Sequence, residues 1–126
     1  MKIEHIAIWV KDIDKVCEFY RKYFGGVVQS LYHNPTKQFT SRFVTFESGA
    51  RLEIMHRLDI EPLSSSEHLG FAHLSFSVGS KEEVDLLTQQ MSNDGIQVVG
   101  EPRTTGDGYY ESVILDPEDN RVEITI

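Results

Sequence analysis

Apolar residues recur at every second position in two stretches of the chain, which is the pattern of a strand with one buried face. Residues 3–10 place Ile6, Ile8 and Val10 on one face. Residues 71–78 repeat the same alternation. Each stretch is therefore predicted to open a structural module as a half-buried strand.

Apolar spacings of three and four residues follow each of these strands and predict amphipathic helices over residues 13–24 and 81–93. Asp12 stands where an N-cap is expected. Ser80 and Glu83 have the spacing of a capping box. Glycines just beyond both helices are typical of a C-terminal stop.

Three more strands are predicted after each helix, so the pattern repeats. They cover residues 27–31, 42–47 and 51–56 in the first copy, and residues 97–101, 110–115 and 121–126 in the second. The fold class is therefore predicted to be α+β, built from two βαβββ modules in a single domain over 1–126. Module 1 covers 1–57 and module 2 covers 71–126, and a linker over 58–70 with Pro, Gly and a serine triplet joins them.

Polar residues interrupt the strands at matching places in the two copies. His5 matches His73 at an offset of 68 residues, and Glu53 matches Glu123 at an offset of 70. All four alternate with the apolar positions, so they are expected to project from the inner face of a curved sheet. Two imidazoles and two carboxylates suit Zn²⁺, Ni²⁺, Co²⁺, Fe²⁺ or Mn²⁺. The sequence thus predicts a site for one divalent metal ion.

Other interpretations of these residues are open. A single inward histidine is often a groove residue, and each glutamate could instead pair with an arginine two positions before it, Arg51 or Arg121. The remaining histidines, His33, His56 and His68, fall in or beside predicted turns and are expected to be solvated. Cys17 lies within the first helix and is interpreted as a packing residue. Some aromatics could line a pocket or simply pack, namely Trp9, Phe39, Tyr109 and Tyr110.

Composition narrows the classes of function. The chain has 126 residues and a net charge of −8, which disfavours a nucleic-acid partner because phosphate binding needs clustered Lys and Arg. One cysteine excludes an internal disulfide. No apolar run reaches the ~20 residues that span a bilayer, and the N-terminus lacks the pattern of a signal peptide. A cytoplasmic protein without a membrane partner is expected.

Four segments resemble the vicinal oxygen chelate superfamily and, within it, glyoxalase I (lactoylglutathione lyase)-like proteins. They read IEHIAIWV, EFYRKYFGG, GFAHLSFSV and LDPEDNRVEI, and with their spacing they cover essentially the whole chain. The resemblance implies paired βαβββ modules around a metal cleft, often in a homodimer. The glyoxalase I ligands, His or Gln, Glu, His and Glu, fall on His5, Glu53, His73 and Glu123.

The resemblance also implies a chemistry. A small molecule with two adjacent oxygens would meet a Ni²⁺, Zn²⁺ or Co²⁺ ion, and a carboxylate would move a proton next to a carbonyl, as in conversion of a 2-oxoaldehyde–thiol adduct. Glu123 would be the principal base, with Glu53 as its symmetric partner.

Three positions depart from the glyoxalase pattern. Trp9 stands where many glyoxalases have an arginine that holds the glutathione carboxylate, and Arg57 stands where they often have asparagine. Asp119 replaces a glycine of the last motif. The first two changes disfavour glutathione, and Trp9 is expected to make that side of the pocket larger and more apolar.

Alternative functions follow from the same resemblance. One is a racemase like methylmalonyl-CoA epimerase, and another is a non-catalytic module that binds or sequesters a small molecule. Extradiol dioxygenases and fosfomycin-resistance thiol transferases use two His and one Glu, so Glu53 favours the lyase, isomerase or epimerase branch.

Overall fold

The computed structural model describes residues 1–47, 49–62 and 70–126. The chain divides into two compact units, Met1–Ser64 and Ser65–Ile126. The predicted linker over 58–70 lies partly outside the described residues, which resume at Gly70.

Unit 1 is a five-stranded sheet with one helix. Its elements are β1 (His5–Trp9), α1 (Ile13–Phe24), β2 (Val27–Val28), β3 (Tyr32–Asn34), β4 (Phe39–Thr45) and β5 (Arg51–His56). The sheet order is β1-β5-β4-β2, and β3 pairs with β4. Strands β1 and β5 run parallel and the other pairs are antiparallel.

Helix α1 begins and ends as the sequence predicts. The Asp12 carboxylate accepts a hydrogen bond from the Lys15 N–H, and Gly25 ends the helix in the left-handed conformation at φ 63°. Gly26 follows where a Cβ would lie 2.5 Å from Val44 Cγ1, so only glycine lets the chain turn this tightly against β4.

The core of unit 1 lies between α1 and one face of the sheet. Val16 and Tyr20 of the helix and Val44 and Ile54 of the strands are fully buried. Along β5 buried residues alternate with half-buried ones, so Glu53 lies on the face opposite the helix. The predicted face assignment is therefore confirmed for this strand.

One prediction for unit 1 is wrong: residues 27–31 do not form a single strand. Val28 pairs with Val44 and Tyr32 pairs with Ser41, so four steps along one strand match three on the other. This one-residue register shift is a bulge that breaks the ladder and separates β2 from β3. Unit 1 thus has one strand more than the predicted repeat.

Unit 2 is a four-stranded sheet with one helix. Its elements are β6 (Leu74–Ser77), α2 (Lys81–Asn93), β7 (Val98–Thr104), β8 (Tyr110–Leu115) and β9 (Arg121–Thr125), in the sheet order β6-β9-β8-β7. Strands β6 and β9 run parallel. The Ser80 hydroxyl accepts from the Glu83 N–H, as predicted for the cap of α2.

The turn between β8 and β9 is held by one buried carboxylate. Asp116 is 3% exposed and accepts from the backbone N–H groups of Glu118 and Asn120 and from the Asn120 amide. Asp119 adopts φ 65° in this turn, where glycine is preferred. Residue 119 therefore has the conformation that the glycine of the related motif would adopt at lower cost.

The predicted α+β class and the two βαβββ modules are confirmed, with β3 added in the first. Both helices have the predicted bounds, whereas β1 and β6 are shorter than predicted. Among the described residues, neither helix nor any other helical segment is long and apolar enough to cross a membrane.

Candidate metal centre

Unit 1 brings His5 and Glu53 onto the same face of two neighbouring strands. Glu53 on β5 is paired with Ala7 of β1, two residues from His5. The His5 Nε2 and Glu53 Oε2 atoms are 4.0 Å apart. The imidazole also meets the Phe43 ring edge-to-face, with centroids 5.5 Å apart. The two predicted ligands of this unit therefore face each other beside an aromatic wall.

Glu4 determines which nitrogen of His5 faces this site. The His5 Nδ1 lies 2.5 Å from Glu4 Oε2, and since a carboxylate only accepts, Nδ1 carries the proton. In the neutral ring Nε2 then holds the free lone pair, on the side of Glu53. The hydrogen bond from His5, supported by Arg51, holds the pKa of Glu4 below its usual value. Carboxylate–histidine pairs of this kind orient metal ligands in proteins.

Glu53 does not form the alternative ion pair with Arg51, the arginine two positions before it. Arg51 forms its ion pair with Glu4, at 2.5 Å, and places its guanidinium carbon 4.0 Å from the centroid of the Phe43 ring. The Glu53 side chain is only 17% exposed, and its one recorded ion-pair partner among the described residues is His5. A carboxylate removed this far from water needs a positive partner, which a neutral imidazole does not supply.

Unit 2 repeats this arrangement with His73 and Glu123. His73 lies immediately before β6, and Glu123 on β9 is paired with Ser75 of β6. The His73 Nε2 and Glu123 Oε2 atoms are 3.2 Å apart, and the Glu123 side chain is 19% exposed. Neither Lys nor Arg forms an ion pair with Glu123 in the described part of the chain. Both glutamates are thus partly buried carboxylates whose ion-pair partner, among the residues that the structure describes, is a histidine.

The donor separations can be compared with metal coordination. Two ligands about 2.1 Å from one ion lie about 3.0 Å apart at a right angle and about 3.4 Å apart at a tetrahedral angle. The His73–Glu123 separation of 3.2 Å falls between these values. The His5–Glu53 separation of 4.0 Å needs a contraction of roughly 0.6 Å to reach the tetrahedral value.

Each unit by itself supplies one histidine and one glutamate. Within the residues described, no group of three or more His, Cys, Asp or Glu side chains is arranged to hold a metal ion. The set of four ligands therefore stays a prediction, and the structure provides its two halves.

An open cavity of about 440 Å³ lies beside the histidine–glutamate pair of unit 2. Ser75, Tyr109, Thr125 and Glu111 are among the residues that line it. The Glu111 side chain is 14% exposed, and its Oε1 atom lies 3.6 Å from Nη2 of Arg103. Glu111 was not among the predicted site residues, although its alternation with the buried Ser112 and Ile114 along β8 could have indicated its position.

The other candidate side chains have simpler roles. His33 is exposed, as predicted, and bonds to the Thr40 hydroxyl. His56 is instead half-buried, with Nδ1 2.9 Å from the Val10 carbonyl oxygen, because it ends β5 rather than entering a turn. His68 lies outside the described residues. Cys17 is buried, and burial raises the pKa of its thiol to about 11, in keeping with a packing role.

Comparison with known proteins identifies the family. A sequence model of the Glyoxalase/Bleomycin resistance protein/Dioxygenase superfamily matches residues 2–124. The chain belongs to this superfamily. The match includes all four predicted ligands and both units.

Three individual proteins illustrate the likeness. The uncharacterized protein YqjT of Bacillus subtilis is 26% identical over 97% of this chain and 96% of its own length. A glyoxalase family protein from Enterococcus faecalis is 25% identical, with a TM-score of 0.81 over 99% of this chain and 97% of that one. The trypanothione-dependent glyoxalase I of Leishmania major is 19% identical, with a TM-score of 0.78 over 99% and 86%. At that identity the last likeness shows the fold alone.

Proposed function

We propose that the chain is a metal-dependent lyase or isomerase of the glyoxalase I type. It would bind one divalent ion, Ni²⁺, Co²⁺ or Zn²⁺, through His5, Glu53, His73 and Glu123. The observation that carries the proposal is the repeated pair of a histidine Nε2 facing a partly buried glutamate, for which the described residues supply no Lys or Arg ion-pair partner. We further propose that the protein works in the cytoplasm as a homodimer on a small molecule.

The charge of the donor set supports a divalent ion. Two carboxylates balance two positive charges, and two neutral imidazoles add donors without further charge. The Glu4 hydrogen bond to His5 Nδ1 supports the same assignment, because it directs the unprotonated Nε2 towards Glu53. In octahedral coordination four protein ligands leave two positions for a substrate with adjacent oxygens.

The bound ion would act as a Lewis acid and stabilise the negative charge that develops on a carbonyl oxygen of the substrate. Glu123 takes the proton from the carbon next to that carbonyl and returns it to the neighbouring carbon. Glu53 is the symmetric carboxylate in the other unit. The substrate occupies the cavity beside Glu123, which polar residues line. A general base in such a position contributes about 10²–10⁴-fold to the rate.

A Glu123→Gln variant tests this assignment. We expect turnover of methylglyoxal–thiol adducts to fall by about 10²-fold or more, while metal content measured by mass spectrometry falls less. Several thiols should be assayed separately, since Trp9 and Arg57 disfavour glutathione. Activity in wild type should disappear on chelation and return with Ni²⁺, Co²⁺ or Zn²⁺. Undiminished turnover in Glu123→Gln would refute the assigned base, and ligand binding that survives chelation without any turnover would favour a binding module.

A further inference from the structure

A row of aromatic side chains crosses unit 1 on the same face as Glu53. The strand register aligns Trp9 of β1, Met55 of β5, Ser41 of β4 and Tyr32 of β3. Phe39 lies two residues from Ser41 on the same face of β4. We call these five side chains the aromatic row. It is not part of the helix-facing core described above.

The rings of the aromatic row contact one another, and the two outer rings are exposed while Phe39 between them is half-buried. Phe39 meets Trp9 edge-to-face with centroids 6.0 Å apart, and Tyr32 with centroids 6.1 Å apart. Trp9 is 39% exposed and Tyr32 is 55% exposed. Contiguous exposed aromatic surface of this kind is unfavourable in water and typically marks a place where something binds.

The aromatic row is adjacent to the proposed metal ligands. Met55, the member of the aromatic row on β5, lies two residues after Glu53 and on the same face of that strand. Two residues of strand span about 7 Å. A substrate of moderate size that engages His5 and Glu53 therefore reaches the aromatic row with its next few atoms.

Two basic side chains and one acidic side chain lie beside the aromatic row, on the side away from Glu53. Arg57 places its guanidinium carbon 5.3 Å from the centroid of the Trp9 ring and bonds to Asp59 at 2.5 Å. Arg57, Asp59 and Lys37 also line an open cavity of about 610 Å³. The one recorded hydrogen bond of Lys37 within the described residues runs from its backbone N–H to Asn34. The local charge is thus positive in a chain whose net charge is −8.

This distribution of charge decides between two classes of ligand. Exposed aromatic clusters often bind cations through their ring faces. Here Arg57 already lies over the Trp9 ring and pairs with Asp59, so Lys37 leaves the lining of the cavity with a net positive charge. That charge disfavours a cationic ligand and favours an anionic one.

We propose that the aromatic row and the cavity beside it form the subsite for the substrate tail, and that the tail is a planar aromatic group with an anionic substituent. The ring packs against Trp9, Phe39 and Tyr32, and the anion pairs with Arg57 and Lys37. This inference deepens the proposed function, because it assigns a substrate class to the site beside His5 and Glu53. It also gives a positive role to Trp9 and Arg57, the residues that disfavour glutathione.

The test uses metal-free protein, so that it is independent of the metal assignment. Calorimetry measures the dissociation constants of 4-nitrobenzoate, of uncharged 4-nitrobenzamide and of non-aromatic cyclohexanecarboxylate. We expect 4-nitrobenzoate to bind about tenfold more tightly than either comparison compound. Trp9 is the chain's one tryptophan, so quenching of its fluorescence by 4-nitrobenzoate reports binding at the row itself.

Variants divide the proposal into its parts. Trp9→Leu should weaken binding of 4-nitrobenzoate by about fivefold to tenfold through loss of the flat ring. Arg57→Gln should remove most of the preference for the acid over the amide. Arg21→Gln is the matched control, because Arg21 also pairs with a surface acid at 2.5 Å but lies on α1.

The outcomes separate this inference from the proposed function. The inference is overturned if wild type shows no saturable binding of 4-nitrobenzoate, or if it binds the acid and the amide equally. It is also overturned if Arg57→Gln and Arg21→Gln reduce the affinity for 4-nitrobenzoate equally. If the expected pattern holds while the protein takes up no metal and turns nothing over, the subsite stands and the lyase assignment fails.

Discussion

Removal of the Glu4 carboxylate should weaken metal binding although Glu4 is not itself a predicted ligand. In Glu4→Ala the His5 ring loses the acceptor that fixes its proton on Nδ1, and Arg51 loses its ion-pair partner beside His5. The ring then samples both tautomers, and an unpaired guanidinium stands near the ion. Both changes act against binding of a cation.

The expected loss of metal affinity depends on how exposed the His5 and Glu4 side chains are. Loss of a carboxylate behind a histidine ligand typically costs about 10–100-fold in metal affinity. The His5 and Glu4 side chains are 43% and 56% exposed, so water replaces part of the lost hydrogen bond. We therefore expect a loss smaller than this range, about threefold to tenfold.

Calorimetric titration of the metal-free protein with Ni²⁺ measures this effect. Glu4→Gln should lie between wild type and Glu4→Ala, because its amide oxygen still accepts from Nδ1 but carries no charge. Glu18→Gln is the control, since it removes an exposed carboxylate paired with Arg21 in the same way, on α1. An unchanged Ni²⁺ affinity in Glu4→Ala, or an equal loss in Glu18→Gln, would refute the orienting role of Glu4.

Two further predictions concern stability and reactivity. Asp119→Gly should raise the free energy of unfolding by roughly 0.5–1 kcal/mol. The left-handed conformation costs a residue with a side chain about 1–2 kcal/mol, and the greater freedom of glycine in the unfolded chain offsets part of the gain. A denaturant titration that shows no increase in the free energy of unfolding would contradict this. Burial raises the pKa of Cys17 from 9.0 to about 11, so the folded state retains its thiol proton where the unfolded state loses it. Wild type should consequently lose more stability than Cys17→Ser between about pH 9 and pH 11, and equal losses measured by denaturant titration at both pH values would contradict the shift.

The sequence was sufficient for those parts of the fold that rest on local signals. Both helices have the predicted bounds because their caps and stops lie in the sequence, as Asp12 and Gly25 show for α1. The break between β2 and β3 was not predictable in this way. It depends on a register shift against β4, which is a property of two strands and not of one segment.

The candidate site was predicted in part for a similar reason. The matched offsets of the histidines and glutamates are visible in the repeat, and strand alternation gives their faces. The sequence could not predict that Arg51 pairs with Glu4 and not with Glu53, because the pairing depends on which carboxylate the long arginine side chain reaches. The tautomer of His5 depends in turn on Glu4.

Metal content by mass spectrometry tests the central claim most directly, in wild type and in the variants Glu53→Ala and His73→Ala. One variant changes each unit, so together they test whether the two halves serve one ion. We expect about one divalent ion per chain in wild type and loss of that ion in both variants. Absence of metal after reconstitution, or retention of the ion in either variant, would contradict it.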